Sequence, residues 1–158
     1  MLTLRFDSPL PADPAQAKVI SGFRQASIAL EESYEEVRLA PGATSYLTGG
    51  VLAGLKYELS VESQDGKVPA GEVAYYLTRV ITVDGASAVV TTCEDNSQYV
   101  QRYASSKALA GGVGPASQLY PFVTLTMTPL DGHWAVAAAQ AVDEPAAAEQ
   151  PCLTNRPW

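Results

Sequence analysis

Apolar residues recur in steps of three and four at Val19, Phe23, Ala26, Leu30, Tyr34 and Val37, one stripe of an amphipathic helix. Asp13 is placed to cap its start, Pro14 suits the first helical position, and Pro41-Gly42 marks its expected end. A second helix is expected after Thr44 or Ser45, with Leu47, Val51, Leu55 and Leu59 in steps of four and Leu52 beside them. Gly49-Gly50 and Gly54 each weaken that helix by about 1 kcal/mol relative to Ala. Gln64 to Gly71 reads as a polar loop.

From Val73 the period drops to two. Val73, Tyr75, Leu77, Arg79, Ile81 and Val83 are expected on one strand face, and Ala74, Tyr76, Thr78, Val80 and Thr82 on the other. Asp84-Gly85 signals a type I′ hairpin turn into a return strand from Ser87 to Cys93, which Glu94-Asp95-Asn96-Ser97 is expected to end. Gln98 to Ser117 carries no period and reads as a long excursion. Pro121 to Thr128 is the next strand, Asp131-Gly132 a second hairpin turn, and His133 to Val142 the last strand. In that strand Trp134 and Val136 share one face, and Ala135, Ala137, Ala139 and Ala141 the other. Helices followed by about four mostly antiparallel strands predict an α+β fold with the helices on one sheet face. Met1 to Phe6 alternates weakly, as a short strand can, and Asp7 to Pro11 reads as a linker. The expected organisation is an N-terminal arm over 1–12, a single domain over 13–143 and a C-terminal tail over 144–158.

Length and composition narrow the function classes. A chain of 158 residues with 47% hydrophobic residues can fill one core. Its net charge of −7 argues against nucleic acid and against an anionic membrane surface. No apolar run approaches the roughly 18–20 residues that span a bilayer. Met1 to Phe6 shows no secretory signal.

Cys93 and Cys152 are the two cysteines and His133 the one histidine, too few for a zinc site of about four Cys/His ligands. Neither metal nor cofactor is expected. The cysteines are either two buried free thiols or one disulfide that pins the tail to the sheet. The Ala/Pro-rich run from Pro145 to Pro151 is a poor core segment, which favours the disulfide and an oxidising compartment. Glu31, Glu32, Glu35 and Glu36 read as a solvated helix face. Gly49-Gly50 lacks the Gly-Lys-Ser/Thr of a phosphate loop, and no G-x-S-x-G exists. No catalytic residue is assigned. Tyr34, Tyr46, Tyr75, Arg79 and Trp134 are the candidates to line a pocket. Acids at inward strand positions are what the pattern lacks: Asp84 and Asp131 sit in turns, and Asp95 is expected to bond local backbone.

The hairpin at Val83-Asp84-Gly85, the C-x-D-x-S element Cys93, Asp95 and Ser97, the Gly-x-Trp-x-Val strand Gly132, Trp134 and Val136, and the late Cys152 together resemble the small nuclear-transport-factor-2-like proteins of actinobacteria. The resemblance spans roughly Asp13 to Cys152. It implies a cystatin-like cone, a curved antiparallel sheet wrapped around a long helix. It also implies a Cys93–Cys152 disulfide and an exported, often lipid-anchored protein, secreted or at the cell surface. The leading reading of function is a non-catalytic scaffold or binding domain at the cell surface, with a protein or a small apolar ligand as partner. The alternative is a small-molecule-binding or isomerase/lyase-type enzyme that uses the cone cavity. A third reading is a homodimer through the open sheet face, with the alanine face of the last strand as its contact; the alternative is that these alanines lie under the excursion from Gln98 to Ser117.

Overall fold

The computed structural model describes residues 1–111, 119–142 and 152. Asp13 is extended and its carboxylate accepts the Gln16 N–H at 2.8 Å, with Pro14 next to it. Helix α1 (Pro14–Glu36) therefore starts where its cap predicts. Val19, Ile20, Phe23, Ala26 and Ala29 form its buried stripe. The helix ends at Val37, in the left-handed region with φ 52°, several residues before Pro41-Gly42. The cause is Ser33, wholly buried. Its hydroxyl donates to the Ala29 carbonyl at 2.6 Å and accepts the Ala40 N–H at 3.0 Å, which folds the outgoing chain back onto the helix.

A short α2 (Ala43–Tyr46) precedes α3 (Gly49–Asp65). Gly49-Gly50 opens α3 rather than interrupting it. Gly49 has φ +52°, and a Cβ there would stand 3.0 Å from the Ala137 carbonyl oxygen. Leu47, Leu55 and Leu59 are buried, as their spacing predicts. α3 continues to Asp65 and a strand begins at Lys67, so the loop expected over Gln64 to Gly71 shrinks to a turn at Gly66.

The sheet has six strands, more than the four expected: β1 (Leu2–Phe6), β2 (Lys67–Val83), β3 (Ala88–Tyr103), β4 (Leu109–Gly111), β5 (Phe122–Leu130) and β6 (His133–Val142). Their order is β1-β2-β3-β5-β6, with β4 beside β3. Every pairing is antiparallel except β1 on β2, which is parallel. Residues 2–6, within the expected arm, thus form an edge strand with Leu2 in the core. β3 does not end at Glu94–Ser97; it runs on to Tyr103, so the expected excursion is strand over its first residues. Residues 112–118 and most of the tail lie outside the described residues. The expected Asp131-Gly132 hairpin turn is present, with φ 50° and 86°, both positive as type I′ requires. The β2–β3 connection instead spans residues 84–87, closed by the Asp84 N–H on the Ser87 carbonyl at 2.9 Å. The Asp84 carboxylate accepts the Ala86 and Ser87 N–H groups, and those bonds lower its pKa.

Bulges decide which side chains face the helices. Tyr76 pairs with Cys93 and Arg79 with Thr91, so Leu77 and Thr78 together stand against Thr92. Leu77 adopts φ 51° there. The buried Thr92 hydroxyl bonds the Thr78 hydroxyl at 2.9 Å, and the Ser8 hydroxyl accepts the Thr78 N–H at 2.9 Å. The expected face is therefore split: Val73 and Tyr75 share the core with Val80 and Val83, while Leu77 packs on the opposite side. A second shift, between Thr126 and Met127, pairs Val136 with Met127 but Ala138 with Thr126, leaving Ala137 as the extra residue. Ala135 therefore falls on the other face from Ala139 and Ala141, and the continuous alanine face expected for a dimer does not form.

α1 and α3 cover one face of the sheet, and one continuous core lies between them. Helices against one face of a mostly antiparallel sheet make the α+β fold that the chain's periodicity predicts, in the arrangement that the family resemblance implies. α1 sits close on β6 because Gly22 leaves room for Trp134. A Cβ at Gly22 would stand 2.4 Å from the Trp134 carbonyl oxygen and 2.8 Å from its Cβ. Gly22→Ala is expected to cost about 2 kcal/mol, since overpacking exceeds the roughly 1 kcal/mol of helix propensity gained. Urea unfolding measures this, and a variant as stable as the parent would show that α1 shifts freely on β6.

Candidate functional site

The polar groups inside the cone gather where α1 crosses β2. Phe23, Ser27 and Glu31 follow one another at four-residue steps on the same face of α1. Tyr75 of β2 meets them. Its ring stacks on Phe6 of β1 at 5.2 Å and takes the edge of Phe23 at 5.4 Å. The Tyr75 hydroxyl hydrogen-bonds the Ser27 side chain, whose own hydroxyl donates to the Phe23 carbonyl at 3.1 Å. Burial holds the Tyr75 phenol well above its ordinary pKa, and the Glu94 and Glu31 carboxylates push it the same way.

Glu94 stands directly opposite Tyr75 in the β2–β3 ladder. Glu94 is half-buried. That burial pushes the carboxyl up to about 7, partly offset by a hydrogen bond from the Asn96 side chain. An acid on the helix-facing side of a strand is therefore present, contrary to the sequence reading, and the charge of the half-buried Glu31 acts on the same phenol. Nothing local in the sequence marks Glu94. A bulge-free ladder from Val83 opposite Ala88 would set Tyr75 against Asn96; the bulges bring Glu94 there instead. Asp95, by contrast, bonds local backbone, its carboxylate accepting the Ser97 N–H at 2.9 Å.

Of the five pocket candidates, only Tyr75 joins this cluster. The Tyr34 hydroxyl donates to Glu58, tying α1 to α3. Tyr46 packs on His133 with ring centroids 4.6 Å apart, and His133 Nε2 bonds the Ser45 carbonyl at 3.0 Å. Trp134 lines a shallow depression of about 510 Å³ with Pro14, Lys18, Val83 and Asp84, at the hairpin end of the cone. Arg79 is exposed, and its partner Thr91 lies on the face away from the helices, because the Leu77 bulge reverses its direction. The candidates are thus dispersed, and around Tyr75 the interior is occupied by Phe6, Phe23 and Val73.

The cysteines lie on the outer face. Cys93 and Cys152 sulfurs are 2.03 Å apart, disulfide distance, with Cα atoms 5.4 Å apart. Both residues are wholly buried, against Tyr76, Leu77, Tyr120 and Phe122. The Tyr76 hydroxyl donates to the Cys152 carbonyl at 2.6 Å. Among the described residues there is no cluster of three or more His, Cys, Asp or Glu side chains able to hold a metal. Among the same residues, no helix is long and apolar enough to cross a membrane.

No family model matches the chain, and no curated protein does. Solved structures do. The intermembrane-space region of the chloroplast protein ARC6 is similar at TM-score 0.52 and 12% identity, over 84% of this chain and 98% of that one. An NTF2-like protein from Cytophaga hutchinsonii is similar at TM-score 0.47 and 11% identity, over 78% and 93%. A protein of unknown function with a cystatin-like fold from Nostoc punctiforme is similar at TM-score 0.44 and 11% identity, over 77% and 88%. At these identities the likeness concerns the fold alone.

Proposed function

We propose that this chain is a non-catalytic scaffold or binding domain that works in an oxidising compartment, secreted or at the cell surface. One observation carries the reading: among the described residues, apolar side chains pack the inner face. Phe23, Leu47, Leu55, Val73, Tyr75, Val90, Leu125, Met127 and Val136 belong to one buried cluster between helices and sheet. An enzyme of the cone-cavity type needs an open pocket there. The cysteine pair at disulfide distance supports the compartment. Binding then belongs to the outer surface. The sheet face turned from the helices is the surface for a protein partner or a second copy, with Arg79, Val89, Thr91, Thr124 and Thr126 and no carboxylate among these five.

A second reading keeps the cone interior as a small-molecule or isomerase/lyase-type site. The half-buried Glu94 opposite Tyr75, its carboxyl raised to about 7 by burial, favours it, since such a group can exchange a proton near neutral pH. Soaking the protein with xenon and with small cyclic ketones and phenols separates the two. The scaffold reading expects no change in the amide resonances of Tyr75, Val90 and Glu94 at millimolar ligand. A ligand that shifts those resonances and raises Tm would overturn it in favour of the interior site.

A further inference from the structure

Two opposite charges line one depression of the surface and do not meet. It is the hollow of about 510 Å³ at the hairpin end of the cone, formed by Pro14 and Lys18 of α1, Val83 and Asp84 where β2 enters its hairpin, and Trp134 of β6. Among the described residues, neither Lys18 nor Asp84 makes an ion pair. The walls are held in place. Asp13 caps the turn of α1 that carries Pro14. One oxygen of the Asp84 carboxylate accepts the Ala86 N–H at 2.7 Å and the Ser87 N–H at 2.8 Å, and the other has no partner among the described residues. Those bonds lower its pKa, so the group is ionised at neutral pH. Trp134 and Val83 are half-buried, packed against the core and also lining the hollow. Gly22 lets α1 lie close on Trp134, so the walls from α1 and β6 are packed together.

We propose that this hollow binds a small amphipathic zwitterion, an α-amino acid with an aromatic side chain. The open oxygen of Asp84 holds the ammonium, Lys18 holds the carboxylate, and the ring lies on Trp134, Val83 and Pro14. Charge complementarity selects this class. A simple cation faces the repulsion of Lys18, and a simple anion that of Asp84. A neutral apolar molecule takes water from both charges without replacing it. A molecule with both signs and an apolar part meets every wall. Trp134 attracts the ammonium as well as the ring. The hollow is open and both charged residues are exposed, so the dissociation constant is expected on the order of a millimolar, with fast exchange. The site lies apart from the Tyr75 cluster and uses none of the outer-face residues Arg79, Thr91 and Thr124, so it stands independently of a protein partner there.

The test is a titration of the whole chain, followed through the Trp134 indole N–H and the Gly85 amide resonances. The probes share a ring and differ in charge: L-phenylalanine carries both signs, phenethylamine only the ammonium, and 3-phenylpropanoate only the carboxylate. Phenylalanine is expected to shift both resonances and to bind about threefold tighter than either analogue. Lys18→Ala is expected to weaken phenylalanine about threefold and leave phenethylamine no weaker. Asp84→Asn keeps an oxygen for the Ala86 and Ser87 N–H groups. It is expected to weaken phenylalanine by about the same factor and leave 3-phenylpropanoate no weaker. If about 20 mM phenylalanine leaves these resonances unmoved, there is no such site. Equal affinity for the three probes, unchanged by either substitution, would reduce the hollow to an apolar patch and overturn the zwitterion class.

Discussion

Replacing both Cys93 and Cys152 by alanine is expected to lower stability by about 4 kcal/mol. The pair is separated by 59 residues, and closing a loop of that length takes a large share of the unfolded chain's freedom. The native state adds to the effect. Both residues are wholly buried, and the Tyr76 hydroxyl donates to the Cys152 carbonyl, so a released tail leaves a buried phenol without that acceptor. Urea unfolding of the double variant, and of the parent under reductant, checks this. Both should lose stability together, and non-reducing mass analysis with thiol alkylation should find no free thiol in the parent. A loss below about 1 kcal/mol, or two alkylated cysteines in protein made under oxidising conditions, would remove the staple. It would also remove the argument for an oxidising compartment.

Gly71→Ala is expected to cost about 4 kcal/mol and can abolish folding. Gly71 has φ +96°, and a Cβ there would stand 1.9 Å from the Gln98 carbonyl oxygen, a backbone atom with no room to move. The left-handed conformation and the overlap add, because relief of one does not relieve the other. The position is also structural on both sides: Gly71 pairs with Tyr99 of β3 and with Leu2 of β1. Thermal unfolding and circular dichroism read the outcome. A folded variant of parental Tm would mean that β2 and β3 separate here without penalty. Gly66→Ala is a useful contrast, because φ is also positive there, at +63°, but nothing lies within 4 Å of its Cβ. It should cost about 1 kcal/mol.

Contacts between near neighbours in the chain are legible from the residues alone. Asp13-Pro14 starts α1, because a side-chain oxygen reaches an N–H three residues on. Asp131-Gly132 turns β5 into β6, because both residues tolerate the left-handed region. The apolar stripe of α1 and the period of two from Val73 place helix and strand, since burial on one face imposes those spacings. The α+β class followed from their order.

Tertiary structure alone decided the rest. β1 pairs in parallel with a strand about seventy residues away, a contact no local pattern encodes. Leu77 takes a left-handed conformation that its side chain disfavours, held by Thr92, by Ser8 and by packing near the cysteine pair. That bulge turns Arg79 outward and helps bring Glu94 opposite Tyr75. A strand has a period of two, so one unpaired residue exchanges its faces, and no window of sequence shows where partners across the sheet will require it. The candidate site was therefore half legible. Tyr75 could be read from the alternation, but its acid depended on register, which the folded sheet sets.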